Sequence, residues 1–540
     1  MSNTIIVTPQ PESAEAGARV LRAGGNAVDA AMTAALVQGV VDPQMTGIAG
    51  FGNCQIYMRQ QGVHQCIDFH GKTPLSATPD MWQDRLIEET RDGFGFVLEG
   101  NVNDLGYQSV TTPGSLMAYA EAVSKFGTCD WKDVVAPAIR YADEGFVIRP
   151  QIYTWWTSGA ILGRVDVLDR LGLTVSGRDL YFRSDGSLKR VGERITNKDM
   201  ATTLKRIAQH GHDIFYTGEI AEEISSDMSA NGGLLSAADL AAYRTTWNDP
   251  LQSSYRGLDL ATNQPPGGGV MLVEMLNILE HFDLRNLEHN STDYIRTVCE
   301  AMKAATADKE AHVGDPAFVD VPMGRLTDKQ YAGDLAARIQ AGERMTVERF
   351  KAPEPPDTTH VAVMDSAGNC VTMTHSLGMP SGVITDGLGF MYNGCMGVFD
   401  PRPNRAGSIA PGKSRFSSLC PTIVFAAGEP RVVIGAPGGT QIAMGVLQSL
   451  LNIIDFDMTV QEAVAAPRFS ATSAIIDVTN RIPDYTLEPL REAGYEIARS
   501  PFSYGIAGVH GVESVDGRLR GGADPGLDGV ALGVTQPRSS

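Results

Sequence analysis

The chain has 540 residues, 43% of them apolar, which is material for one large core or for two or three ordinary ones. Its 63 acidic against 44 basic residues leave a net charge of −19, which argues against nucleic acid or an anionic membrane as partner. The seven cysteines (Cys54, Cys66, Cys129, Cys299, Cys370, Cys395 and Cys420) form no CxxC pair and no ligand spacing with the ten histidines, so no structural metal, cofactor or disulfide framework is expected.

In chain order, the start Met1 to Pro9 lacks a basic segment followed by an apolar run long enough for export. No stretch approaches membrane-spanning length, so a cytoplasmic location is expected. Ser13 to Ala23 reads as a helix capped by the serine and ended by Gly24-Gly25; Asn26 then caps a second helix that must stop before Pro43. Thr46 to Asn53 is glycine-rich and runs into strand-like Cys54 to Met58. This is the wrong order for a dinucleotide loop, which follows a strand and opens a helix. Residues 130–250 read as helix-rich and peripheral. Ala352-Pro353-Glu354-Pro355-Pro356-Asp357 is neither a central strand nor a helix, because proline donates no backbone hydrogen bond.

After these prolines, Thr358-Thr359-His360 open a predicted β-hairpin that turns at Asp365-Ser366-Ala367-Gly368-Asn369 and returns through Cys370 to Ser376. If Asp365 and Asn369 close the loop, Thr358 lies opposite Ser376; a two-residue loop would slip the register and turn Ser376 away. An internal threonine is a feeble nucleophile. At a new chain start, its α-amine, with an ordinary pKa of about 7.7–8.0, sits where it can take the hydroxyl proton. An ordinary surface hairpin with a polar start fits these residues equally well.

Further along, the loop Asp400 to Arg415 carries Arg402, Arg405, Lys413 and Arg415, either as an anion site or as solvated charges. Ser417-Ser418 offer hydroxyls to a ligand or to nearby backbone. Val432 to Ala436 reads as a buried strand, Pro437-Gly438-Gly439 as its exit, and Thr440 onward as a helix with Ile442, Val446, Leu447, Leu450 and Leu451 on one side. Paired glycine N–H groups at a helix start can face an oxyanion, although a strand-to-helix turn also uses glycine for its backbone freedom alone.

Seven ordered motifs resemble the γ-glutamyltranspeptidase family: Ser13 to Gly52, Thr112-Pro113-Gly114-Ser115, Pro265-Pro266-Gly267-Gly268-Gly269, Glu300-Ala301-Met302-Lys303, Gly314-Asp315-Pro316, Ser417-Ser418 and Pro437-Gly438-Gly439. The resemblance implies an α+β, four-layer αββα sandwich of the N-terminal-nucleophile hydrolase type. It also implies self-cleavage between Asp357 and Thr358, giving fragments 1–357 and 358–540 that stay together as a heterodimer forming one composite domain. Thr358 is then the nucleophile, Ser376 its partner, Gly438 and Gly439 the oxyanion hole, and Ser417 and Ser418 the substrate's contacts.

Departures from the family pattern bear on the substrate. The arginine that holds a γ-glutamyl α-carboxylate falls on His70, an asparagine on Gly378, a glutamine on Cys395, and the acidic partner of the α-ammonium on Val398. A buried ammonium without a carboxylate is costly. The expected substrate is therefore a small, anionic amide of the oxamate kind, with His70, Arg415 and Cys395 as further binding residues. The alternatives are an acylase of a larger amide, a genuine γ-glutamyltransferase and glutathione hydrolase, and, in another class, an unprocessed binding protein.

Overall fold

Two antiparallel sheets face each other. In the first the strands lie in the order Val530–Val534, Thr4–Thr8, Thr359–Met364, Cys370–Ser376, Phe51–Met58, Val63–Phe69 and Thr246–Asn248. In the second the order is Arg518–Ala523, His510–Val515, Glu429–Gly435, Thr422–Ala426, Leu258–Thr262 and Leu251–Tyr255. This computed structural model describes residues 3–90, 95–158, 164–347 and 358–535. Asp357 and the expected cleavage point lie outside the described residues.

The two-residue period of a strand explains the layering. Along Thr359–Met364, Val361 and Val363 pack outward with the helices Pro11–Arg22 and Ala27–Val41, while Ala362 and Met364 pack inward against Ile423, Val433 and Val512 of the other sheet. Helices Gly269–Leu279, Thr292–His312 and Ile442–Ile454 cover the second sheet. The architecture is α+β and four-layered, αββα, in agreement with the expectation.

Local signals explain the element ends. Asn26 accepts hydrogen bonds from the N–H groups of Val28 and Asp29, and the Asp29 carboxylate accepts from the Asn26 N–H, a reciprocal cap at the start of Ala27–Val41. The first helix differs from its reading: it starts at Pro11, whose fixed φ suits the first helical position, and Ser13 is already inside it. The Ser13 hydroxyl donates to the Gln10 carbonyl oxygen at 2.8 Å.

Residues 131–242 are helix-rich, but they are not peripheral. Val134, Trp156 and Tyr181 belong to the same core cluster as the helix Ala27–Val41, all fifteen residues of which are buried between this outer layer and the sheet. Fully buried Arg170 donates to the carbonyl oxygen of Pro380 at 2.8 Å, which ties the outer layer to the loop after Ser376.

Candidate active site

The hairpin has the predicted register. Thr359 pairs with His375 and Met364 with Cys370, and the Asp365 N–H donates to the Asn369 carbonyl oxygen at 3.0 Å. Thr358, only 6% exposed, donates from Oγ1 to Ser376 Oγ at 3.3 Å, and the same Ser376 oxygen accepts the Gly378 N–H at 2.8 Å. Gly50 lies so close behind that a Cβ there would be 2.5 Å from the Ser376 carbonyl oxygen. The glycine-rich stretch therefore makes room for the strand that pairs with the Thr358 strand.

A buried polar network holds the start of this strand. Gln38 Nε2 donates to Thr359 Oγ1 at 2.9 Å and to Gln10 Oε1 at 2.7 Å, while Gln10 Nε2 donates to Asp42 Oδ2 at 2.7 Å. His375 Nε2 faces Gln38 Oε1 at 2.8 Å and therefore carries the proton; its Nδ1 accepts from Tyr119 at 2.6 Å. Burial lowers the His375 pKa to about 3, so the ring is neutral. His360, paired through Nδ1 with Thr374 Oγ1 at 2.9 Å, is likewise pushed well below the usual range by burial and then by His510 and His375.

The glycine turn follows the strand Glu429–Gly435. Gly438 and Gly439 have φ of +143° and +54°, conformations that favour glycine, and a Cβ on Gly438 would lie 2.7 Å from Ala507 Cα. A short 3₁₀ turn over Gly439–Gln441 precedes the helix Ile442–Ile454, so the helix begins two residues later than predicted; it is buried on every side from Ile442 to Ile453.

Thr358, Ser376, Gly378, Val398, Arg415, Ser417, Ser418 and Gly439 line one cavity of about 580 Å³. The family landmarks build its walls. The Ser417 N–H donates to the Pro266 carbonyl oxygen at 2.9 Å and the Gly268 N–H to that of Leu419 at 2.8 Å, and a Cβ on Gly268 would strike the Ser418 backbone. Asp315 accepts the Ser414 N–H at 2.7 Å, fixing the segment that leads to Arg415.

The four cations of the Asp400 to Arg415 loop do not act together. Arg402 binds both carboxylate oxygens of Asp400 at 2.8 Å and reaches Glu89 at 3.4 Å; Arg405 is half-exposed, 3.7 Å from Asp400; Lys413 donates to the carbonyl oxygens of Ala406 and Ser408. Like Lys413, 4% exposed, Arg415 is buried, at 5%. Its guanidinium lies 4.8 Å from the centre of the Phe51 ring, Nε donates to the Phe416 carbonyl oxygen at 3.0 Å, and Nη1 approaches Cys395 Sγ at 3.7 Å. Among the described lining residues, five basic side chains meet three carboxylates.

Two expected binding residues stand behind the wall and outside the set that lines the cavity. Cys395 is fully buried, donates to the Leu377 carbonyl oxygen at 3.4 Å and touches the lining residue Arg415. His70 is 1% exposed and reaches the cavity through Ser417, with Nε2 2.6 Å from Ser417 Oγ. Phe51, Thr440 and Lys309 also line the cavity and were not read from sequence: an aromatic, a threonine and a helical lysine carry no local motif. Among the described residues no group of three or more His, Cys, Asp or Glu is placed to hold a metal ion, and no helix is long and apolar enough to cross a membrane.

The family model described as Gamma-glutamyltranspeptidase matches residues 13–534. The Acylase ACY 1 proenzyme of Pseudomonas sp. (strain SE83) is 36% identical over 544 residues, covering 99% of this chain and 94% of that protein. The Glutathione hydrolase proenzyme of Pseudomonas sp. (strain A14) is 34% identical over 561 residues, covering 98% and 94%. The crystal structure of cephalosporin acylase from Bacillus halodurans superposes with a TM-score of 0.88 at 28% identity, covering 98% of this chain and 96% of that one. The αββα fold, the threonine at the start of a central strand and a sequence match from Ser13 to Val534 lead to one conclusion: the chain is an enzyme of the γ-glutamyltranspeptidase family, with the N-terminal-nucleophile hydrolase fold.

Proposed function

We propose that the chain is a self-processing threonine amidohydrolase that cleaves an amide bearing a carboxylate and no free α-amine. The observation that carries this reading is the position of Arg415. Its guanidinium lines the cavity that Thr358 enters, and the apolar Val398 lines the same cavity. Each carboxylate of that cavity is paired within the wall, Asp400 and Glu89 with Arg402 and Glu310 with Lys309. Among the described lining residues, cations outnumber carboxylates and each carboxylate is ion-paired, which favours an anion over an ammonium.

In processing, Thr358 Oγ attacks the carbonyl carbon of residue 357; the C–N bond breaks and the nitrogen takes the hydroxyl proton, leaving an ester. Water then splits the ester, releasing the carboxylate of residue 357 and restoring the Oγ hydroxyl beside the α-amine that the C–N cleavage freed. In turnover that amine accepts the Oγ proton as Oγ attacks the substrate amide, and the oxyanion develops beside the Gly438 and Gly439 N–H groups. The amine product leaves with the proton, and water hydrolyses the acyl-threonine ester.

The size of the acyl group admits two readings. A small amide such as oxamate satisfies the anion site. A longer acyl chain ending in a carboxylate suits a cavity of about 580 Å³ better, and two of the similar proteins are named as acylases. Both are tested by amine release from oxamate, from longer dicarboxylic acid monoamides and from a γ-glutamyl anilide. Faster turnover of the γ-glutamyl compound would defeat the anion-without-ammonium reading. On denaturing electrophoresis the wild type is expected as two fragments and Thr358→Ala as one inactive chain; a single fully active wild-type band would defeat the processing step.

A further inference from the structure

Behind the cavity wall, three side chains form a line. Asp68 Oδ1 accepts from the His70 backbone N–H at 2.9 Å and from His70 Nδ1 at 2.6 Å. A carboxylate only accepts, so Nδ1 carries a proton. On the other side of the ring, Nε2 stands 2.6 Å from Ser417 Oγ, and Ser417 lines the cavity. The geometry of base and orienting carboxylate resembles that of a hydrolytic triad, but here the serine shares its cavity with Thr358.

The hydroxyl has one proton and two possible directions for it. When the imidazole is neutral, Nε2 is an acceptor, the Ser417 proton points at it, and the oxygen shows the cavity only lone pairs. When the imidazole carries both protons, Nε2 donates to Ser417 Oγ and the hydroxyl proton is released toward the cavity, where a carboxylate can accept it. We propose that His70, oriented by Asp68, sets whether Ser417 presents a donor or an acceptor to substrate, so that anion binding is coupled to protonation of His70. This rests on the anionic-substrate reading above.

Charged and polar groups surround His70, beginning with the Asp68 carboxylate on its Nδ1. Tyr243, whose hydroxyl donates to the His70 carbonyl oxygen at 2.9 Å, is kept protonated by burial. The Lys72 ammonium lies 5.4 Å from the centre of the Tyr243 ring. Phe51 contacts both the imidazole, at 5.7 Å between ring centres, and the Arg415 guanidinium, which opposes a second positive charge nearby; Cys395 beyond it is held as the thiol by burial. A bound carboxylate tips the balance toward imidazolium, and by linkage the proton tightens the anion equally.

The test uses oxalate as a non-hydrolysed anion and the mature enzyme. Its affinity is measured by titration calorimetry from pH 5 to 8.5 in buffers of differing ionisation enthalpy. Wild type is expected to take up protons on binding and to lose affinity by up to about tenfold per pH unit above the imidazole midpoint. His70→Gln, whose amide nitrogen stands near the Nε2 position and donates at every pH, is expected to keep only the proton linkage that the Thr358 amine gives both proteins. Asp68→Asn is expected to move the midpoint down, and it decides the matter if His70→Gln does not fold. Equal proton uptake in wild type and His70→Gln, an unmoved midpoint in Asp68→Asn, or no oxalate binding to wild type at pH 5 would each overturn the proposal. Oxalate binding needs no turnover, so failure of the amidohydrolase reading registers separately.

Discussion

A Cβ on Gly378 would lie 3.1 Å from Nη1 of Arg415 and 3.0 Å from Cys395 Sγ. The absence of a side chain at Gly378 thus leaves the space that the Arg415 guanidinium and the Cys395 thiol fill.

Arg415 is accordingly expected to be the most sensitive residue for binding the proposed carboxylated amide. Arg415→Lys keeps the charge but loses the planar fork, and KM for a carboxylated amide is expected to rise about 10- to 100-fold, or roughly 1.5–3 kcal/mol. Gly378→Asn is expected to do the same from the other side, because asparagine tolerates φ of +69° yet its side chain displaces the guanidinium. Arg402→Ala, which disturbs the loop's own pair with Asp400, is expected to change KM much less. Steady-state kinetics of the three variants on one substrate checks the order.

Ser376 is expected to affect kcat rather than KM. Its oxygen accepts from both Thr358 and the Gly378 N–H, so Ser376→Ala removes the hydroxyl partner of Thr358 and leaves a buried N–H unsatisfied. Self-cleavage and turnover are expected to slow together by about 10- to 100-fold. Fragment appearance on a gel and single-turnover rates measure the two separately; a variant that processes and turns over at wild-type rates would remove Ser376 from the chemistry.

Legibility followed the range of the physics. Short-range signals read through: the Asn26 cap, the register set by Asp365 and Asn369, and the strand-to-glycine turn at Pro437 are each decided by neighbours in sequence. Ser13 misled because Pro11 competes for the same helix start with a stronger conformational preference. The loop cations misled for a different reason. Sequence shows four positive charges, but only the fold shows that Asp400 and two carbonyl oxygens engage three of them. The line from Asp68 through His70 to Ser417 joins strand Val63–Phe69 to a segment almost 350 residues away, beyond what spacing can indicate.

Gly435 is expected to be as intolerant as the glycine turn it precedes. A Cβ there would meet His360 Cε1 at 2.3 Å, and neither the ring, fixed to Thr374, nor the strand has room to yield. Gly435→Ala is expected to lower stability by about 1–3 kcal/mol through overpacking. Because His360 belongs to the strand that Thr358 opens, the proposed processing should slow as well. Urea unfolding and the fragment ratio after expression check both parts, and a variant as stable as wild type would show that the two sheets can separate at this point.

Stability is expected to fall below about pH 6.5. Burial lowers His375 to about pKa 3 and His510 to about 4, the latter opposed by Asp524, and holds His360 well below its ordinary value. In the unfolded chain all three bind protons near pH 6.5 while the folded protein excludes them, so each costs up to about 1.4 kcal/mol per pH unit across that window. Asp42 works in the opposite sense. Its carboxyl is pushed up to about 6 by burial against the pull of Arg149, so between about pH 4 and 6 the folded state binds its proton more readily. His64, lowered to about 4 by burial, and His289, also lowered by burial, add to the loss, while Glu274 and Asp455, raised by burial, act with Asp42; five histidines outweigh three carboxyls, and the net slope is a loss of stability on acidification. Urea midpoints at pH 7.5 and 5.0 measure it, and His375→Gln should flatten the difference by its own share; a midpoint that rises as pH falls would show that these rings take up protons without unfolding.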